Sequence, residues 1–175
     1  MNFNRRHLLL AACAAPLTVL IGCSQSDAAT PIKPAQIDPA TTCDLDGMLL
    51  ADYPGPKAQV HFVGVAAPVF FCDTVEMFAT LLRPEQVRAV RAAFVQDMGR
   101  ADWDKPQGHW IEADKALYIV GSKRHGSMGP TFASFAAEAD AKKFASAHGG
   151  RLLSYAGIKP DMADLSGGAV HDSRM

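Results

Sequence analysis

The sequence predicts an α+β domain made of two strand–strand–helix–strand modules that together form one compact domain. Short β-rich segments alternate with two helical patterns, and the segments FFCDTVEM and ASFAAEAD occupy the same place in the two halves. Antiparallel strands with helices to one side form an α+β domain. The domain is predicted over residues 43–157, with halves at about 43–100 and 113–157.

The first half contains a helix whose start is clearly marked. Asp73 can cap this helix, and Glu76 stands three residues later, as in a capping box. Val75, Phe78 and Leu82 then share one helical face. An apolar run at residues 48–53 precedes the PGPK turn. The predicted strands are residues 59–63 and 67–71, the helix is residues 73–83, and the returning strand is residues 92–97.

The second half repeats this order after a polar loop at residues 101–110. A glycine-rich connection, SKRHGSMGP, separates its first two strands, and Gly149-Gly150 ends its helix. The predicted strands and helix are residues 116–121, 131–135, 138–148 and 151–155. Residues 158–175 are predicted to be a weakly ordered tail.

The N-terminus has the layout of an export signal. Arg5 and Arg6 precede an apolar run of 14 residues that ends before Cys23, too short to span a membrane as a helix. The tetrapeptide LIGC resembles a lipobox, so we expect cleavage after residue 22 and a lipid on Cys23. NRRHLLL also resembles a twin-arginine signal. Residues 23–42 hold three prolines and no aromatic residue, and are predicted to be a flexible tether.

Composition and motifs exclude several classes of function. The net charge is −1 and no basic segment alternates with aromatic residues, which argues against nucleic-acid binding. No Walker A, nucleophile elbow or HExxH motif is present. Attachment to a membrane is expected through the lipid alone.

Two cysteines, Cys43 and Cys72, remain after the signal peptide and the lipidated residue are set aside. In an exported protein they can form a disulfide or stay as thiols. Cys72 directly precedes the first helix, where the helix dipole is expected to lower its pKa. This position also raises the alternative of an enzyme, either a thiol oxidoreductase or a lyase of the organomercurial type.

Methionines beside turns suggest a soft metal site. Met48, Met98 and Met128 each adjoin a glycine in a loop, where there is less core for them to fill. Thioether and thiolate ligands favour Cu(I). His125, near Met128, is a further candidate ligand, and so is Cys72.

Several motifs occur together in one order. They are the lipobox cysteine, CDLDGM, PGPK, FFCDTVEMF, QDMGRADWDKPQGHWIEA, ALYIVGS, GSMG, ASFA and HGGRLLSY. Over about residues 40–157 this order and spacing closely resemble the NosL family, the periplasmic lipoproteins that accompany nitrous oxide reductase.

The resemblance implies a fold and a function. It implies two ββαβ modules and a lipid-anchored Cu(I) metallochaperone of the periplasm rather than an enzyme. The copper would serve the copper-sulfide centre of nitrous oxide reductase, and the implied partners are that reductase and an ABC-type transporter complex. The implied copper ligands are the residues that match the second cysteine and Met of CxxCGM and the later Gly-Met-Gly loop, namely Asp46, Met48 and Met128.

This chain departs from the family motif at Asp46, where the second cysteine is expected. Three hypotheses about the metal site stay open. Cys43 supplies the missing thiolate beside Met48 and Met128, or His125 completes a site that keeps the carboxylate. Alternatively, the protein has lost its metal and only docks to the maturation complex.

Overall fold

The computed structural model describes residues 31–163 and Leu165 of the 175-residue chain. The signal segment, Cys23 and residues 166–175 lie outside the described residues. Within the described part, no helix has the length and apolar character needed to cross a bilayer.

The first module follows the predicted order. Its elements are β1 (Ala58–Phe62), β2 (Val69–Phe71), α1 (Thr74–Leu81) and β3 (Val90–Gln96). The strands are antiparallel, with β1 between β2 and β3. A short strand, β4 (Trp110–Glu112), pairs with β3 and extends the sheet, so the predicted loop 101–110 ends one residue inside a strand.

The second module repeats this arrangement with an inserted hairpin. Its elements are β5 (Leu117–Val120), the hairpin strands β6 (His125–Gly126) and β7 (Gly129–Pro130), β8 (Ala133–Phe135), α2 (Glu138–His148) and β9 (Arg151–Ser154). The sheet order β8-β5-β9 matches the order β2-β1-β3 of the first module. The predicted fold of two ββαβ modules is therefore confirmed.

Three apolar clusters hold the described part of the chain together. The largest joins α1 to both modules, with Phe78 packing edge-on against Tyr118. A second cluster packs α2 against the second sheet and includes Met98 and Trp103. A third and smaller cluster contains Cys43, Leu50 and Cys72, with Ile37 and Met128 against it.

The folded region is wider than the predicted 43–157. On the N-terminal side, the buried Gln59 side chain exchanges two hydrogen bonds with the backbone of Ala35. On the C-terminal side, Ile158 and Ala163 are buried in the largest cluster. The predictions of a tether up to residue 42 and a tail from residue 158 therefore missed ordered chain at both ends, because residues there bond to or pack against distant parts of the domain.

Candidate metal centre

The segment CDLDGM forms a tight turn that is tied to the first sheet. The Cys43 amide donates to the Met48 carbonyl at 2.8 Å, and the Gly47 amide donates to the Cys43 carbonyl at 2.9 Å. Gly47 has a φ of 77°, a conformation that glycine adopts without strain. The Asp44 amide donates to the carbonyl of Phe70 in β2 at 2.8 Å. This last bond brings the turn beside the end of β2, where Cys72 follows.

Asp46 stabilises the turn and also faces the protein. Its Oδ1 accepts a hydrogen bond from the Met48 amide at 2.9 Å. Its Oδ2 lies 4.0 Å from the sulfur of Cys72. The carboxylate is exposed to solvent, so it lies at the mouth of the site.

Glu76 belongs to the predicted capping box of α1, which the structure confirms. Asp73 caps the helix, and Oε2 of Glu76 accepts a hydrogen bond from the Asp73 amide at 3.2 Å. The Glu76 side chain is fully buried. Its carboxyl group therefore points inward, towards the cysteines.

Four side chains converge at this point. The ligand atoms of Cys43, Asp46, Cys72 and Glu76 all lie within 4.8 Å of one another. Oε2 of Glu76 is 3.3 Å from the sulfur of Cys43 and 3.3 Å from that of Cys72. Both cysteines are buried, free thiols. We call these four residues the thiol–carboxyl cluster.

The cluster distributes its protons unevenly. Hydrogen bonding from the Cys72 side chain, opposed by burial, lowers the pKa of Cys43 to about 6. Burial, reinforced by the charge on Cys43, raises the pKa of Glu76 to about 9. At neutral pH this combination favours a thiolate at Cys43 beside a protonated carboxyl group at Glu76.

The expectation of an activated Cys72 is wrong. Hydrogen bonding to Cys43 and burial raise the pKa of Cys72 far above its ordinary range, and the nearby carboxyl group of Glu76 adds to this. These effects outweigh the helix dipole that was expected to lower it. A thiol with a raised pKa is a poorer nucleophile, which weakens the feature that suggested an enzyme.

Met128 occupies the turn of the β6–β7 hairpin. Gly126 pairs with Gly129, which leaves Ser127 and Met128 as the two residues of the loop. The half-buried Met128 packs against the apolar cluster that contains both cysteines. The second module thus brings a thioether to the cysteines of the first.

The remaining candidates have different surroundings. Met48 is half-buried, and its backbone is held by Cys43 and Asp46. Met98 packs in the cluster beneath α2 and serves as core, away from the cysteines. His125 is exposed at the start of the hairpin, where its carbonyl accepts a hydrogen bond from the Trp103 indole.

The sequence interpretation missed Glu76 as a member of the site. The capping box located this residue correctly but gave it a structural role alone. A usable signal was the capping box itself, because the side chain of its Glu76 reaches back towards the start of the helix, where Cys72 lies.

The fold and this cluster define a two-module α+β protein with a buried thiol–carboxyl site suited to a soft metal ion. The family model named NosL matches residues 34–163. The chain belongs to the NosL family.

Its relatives carry names that describe copper binding. It is 39% identical over 160 residues to the "Copper-binding lipoprotein NosL" of Stutzerimonas stutzeri, covering 87% of this chain and 83% of the relative. Identity to the protein of the same name from Achromobacter cycloclastes is 40% over 162 residues, covering 90% and 83%. The crystal structure of the copper chaperone NosL from Shewanella denitrificans superposes with a TM-score of 0.71 at 38% identity, covering 75% of this chain and 99% of that one.

Proposed function

We propose that this protein is a lipid-anchored periplasmic carrier of Cu(I), and that its cargo is held by Cys43, Cys72 and Met128. The observation that carries the proposal is the convergence of two free thiols, with Met128 packed against the same apolar cluster. Sulfur ligands of this kind select Cu(I) over harder ions. Relatives described as copper-binding lipoproteins and as a copper chaperone support it.

The Cys43 thiolate supplies the charge that the site needs. Its lowered pKa, about 6, makes the anionic ligand available at neutral pH. Cys72 releases its proton when the metal binds, because a coordinating thiol is deprotonated outright. This pair replaces the second cysteine that the family motif places at position 46.

Asp46 then has a secondary role. Its carboxylate lies 4.0 Å from the Cys72 sulfur at the exposed edge of the cluster. A carboxylate is a hard ligand, and its contribution to Cu(I) affinity is small. Met48, in the same turn, is the next thioether to test, because its backbone is bonded to that of Cys43.

The destination of the copper is the copper-sulfide centre of nitrous oxide reductase. The ABC-type transporter complex of that assembly route is the proposed docking partner at the membrane. Membership of the NosL family supports this assignment, together with the lipobox at Cys23 and the twin-arginine-like signal.

Competition for Cu(I) tests the proposed site. The full chain, purified in detergent under reducing conditions, is titrated with Cu(I) against a chromogenic chelator. We expect Cys43→Ser, Cys72→Ser and Met128→Leu to weaken binding at least about tenfold each. Met98→Leu is the matched control, because Met98 is a buried methionine outside the cluster. Equal affinities for Met128→Leu and Met98→Leu would remove Met128 from the site.

A cellular assay tests delivery. A denitrifying host that lacks its own NosL-family protein is complemented with the wild-type gene or with Cys43→Ser/Cys72→Ser. We expect only the wild type to restore a reductase that carries its copper-sulfide centre. Equal restoration by both genes would favour the alternative, a metal-free docking lipoprotein, which the carboxylate at position 46 suggests.

A further inference from the structure

Lys57 is a fully buried lysine directly behind the thiol–carboxyl cluster. Its ammonium group donates to the carbonyls of Pro54 and Cys72 at 2.9 and 3.0 Å, and to Oγ of Ser127 at 2.9 Å. Lysine is almost never fully buried without partners. Here its three donors meet three acceptors, so its hydrogen-bonding capacity is satisfied.

Ser127 connects this lysine to the methionine-bearing hairpin. Its hydroxyl contacts the carbonyl of Cys72 in a short hydrogen bond and lies 3.1 Å from the carbonyl of Pro54. Ser127 directly precedes Met128 in the two-residue loop. The hydroxyl therefore joins the loop that carries the thioether to the backbone of a cysteine in the other module.

Asp73 holds the same hairpin from the side of α1. Its Oδ2 accepts from the Ser127 amide at 3.2 Å, and its Oδ1 accepts from the Thr131 hydroxyl at 2.6 Å. The carboxyl group is completely buried and also caps α1. One side chain thus joins the start of the helix after Cys72 to both ends of the segment that contains Met128.

The packing around the hairpin leaves it little freedom. A β-carbon on Gly126 would collide with the Asp73 carboxyl group, and one on Gly55 would lie 2.6 Å from the Gly126 backbone. The hairpin backbone is therefore pressed against the residues that it bonds. Strands of two residues each contribute few hydrogen bonds of their own, so these outside contacts determine where the loop lies.

We infer that Lys57, Asp73, Ser127 and Thr131 are positioning residues that hold Met128 beside Cys43 and Cys72. We call this set the hairpin anchor. The inference follows from the partners of the hydrogen bonds that the hairpin anchor makes. These partners are the backbone of Cys72, the start of α1 and the hairpin. It builds on the proposed function, because it explains how a Cu(I) site divided between two modules keeps its geometry.

The simpler explanation is that the hairpin anchor only stabilises the fold. The two explanations differ in what happens when one hydrogen bond is removed. A stabilising bond can be lost without moving Met128, whereas a positioning bond cannot. Ser134 provides the matched control, because it is also fully buried and its hydroxyl donates to a backbone carbonyl, that of Gln96, at 2.6 Å.

The position of Met128 can be measured without metal. In the full chain in detergent micelles, labelled at methionine methyl groups, we expect nuclear Overhauser contacts between the Met128 methyl and the β-protons of Cys43 or Cys72. Ser127→Ala should lose these contacts and Ser134→Ala should keep them, with a comparable drop in Tm for both. Retention of the contacts in Ser127→Ala overturns the inference, whatever the copper affinity.

Copper affinity then shows whether position matters for binding. We expect Ser127→Ala to weaken Cu(I) binding about tenfold or more, as for other residues that orient metal ligands, and Ser134→Ala to leave it unchanged. In a Met128→Leu background the effect of Ser127→Ala should disappear, because the two residues act through one ligand. A full effect of Ser127→Ala in that background overturns the inference.

The two proposals fail in different ways. Wild-type binding of Cu(I) with equal affinities for the two serine variants shows that the hairpin anchor does not act on the copper site, which overturns the inference and leaves the carrier function intact. A wild-type chain that does not compete for Cu(I) overturns the carrier function and, with it, the role of the hairpin anchor in copper binding.

Discussion

The sulfur of Cys43 lies 3.3 Å from Oε2 of Glu76, a residue 33 positions along the chain. The same oxygen lies 3.3 Å from the sulfur of Cys72. One buried carboxyl oxygen thus contacts both thiols. Because Glu76 also completes the capping box of α1, the local rule that starts the helix also places an acid inside the candidate metal site.

Cys43 should carry the thiolate at neutral pH. Its pKa of about 6 is depressed from the ordinary 9.0, so the folded metal-free protein should lose one thiol proton with a midpoint near pH 6. Ultraviolet absorbance of the thiolate during a pH titration measures this. Cys72→Ala removes the principal hydrogen-bond donor to Cys43 and should move the midpoint of the thiolate titration to a higher pH.

The control for this titration is Cys43→Ala. Burial and the nearby carboxyl groups still raise the pKa of Cys72 in that variant, so no thiolate should form at neutral pH. A thiolate signal near pH 6 that survives in Cys43→Ala would show that the charge is carried by Cys72 and that the assignment to Cys43 is wrong.

Glu76 should make the free energy of unfolding fall with rising pH. Its pKa is raised from 4.5 to about 9, so the folded state keeps a proton that the unfolded state has released. That proton contributes stability that is fully present below about pH 4.5 and is lost as the pH rises towards 9. Glu76→Gln lacks this contribution. Its free energy of unfolding should therefore rise relative to that of the wild type as the pH increases from about 4.5 to about 9.

Urea unfolding of the metal-free protein at a series of pH values measures the difference. Cys43 acts in the opposite direction between about pH 6 and 9.0, since its pKa is depressed, but it is present in both proteins. The comparison of wild type with Glu76→Gln therefore reports the carboxyl group together with its coupling to Cys43. Parallel stability curves for the two proteins would show that Glu76 ionises normally.

The modules could be predicted because their signals are local. The capping box at Asp73 and the helix end at Gly149 each depend on a few neighbouring residues. Strand β4 was missed because its three residues are recognisable only through pairing with Phe94–Gln96. Similarly, Ile158 looks like tail in the sequence, and its burial depends on α1 and the second module.

The site was only partly predictable for the same reason. The soft character of Cys43 and Met128 is visible in the sequence, and both residues contact the same small cluster. Cys43 meets Cys72 through a turn that is bonded from the Asp44 amide to the Phe70 carbonyl, and Met128 meets it through the contacts of the β6–β7 hairpin. No periodicity reveals either arrangement. Met98 has a similar glycine-flanked motif but is buried beneath α2, which shows that the motif alone does not identify a ligand.

A cysteine at position 46 should tighten Cu(I) binding. Oδ2 of Asp46 lies 4.0 Å from the Cys72 sulfur, so Asp46→Cys would bring a third thiol to the edge of the cluster. Thiolates bind Cu(I) more strongly than carboxylates do, and we expect a gain of about tenfold or more in chelator competition. Asp44→Cys is the control, an exposed position in the same turn outside the cluster. Equal gains for both variants would indicate adventitious thiol binding.

Gly126→Ala should displace the hairpin that carries Met128. The new β-carbon would collide with the Asp73 carboxyl group, which is buried and tied to Val75 and Thr131 and so has little room to move. We expect a loss of about 1–3 kcal/mol in the free energy of unfolding, as for other overpacked sites, and a larger loss of Cu(I) affinity than a purely global effect would give. Gly64→Ala is the comparison, because it has a left-handed backbone with open space around it and lies outside the turn that carries Cys43. Denaturant unfolding and chelator competition on both variants measure the two effects. If Gly126→Ala binds Cu(I) like the wild type while losing stability, the hairpin can shift without carrying Met128 away from the cysteines, and the close packing at Gly126 serves the fold alone.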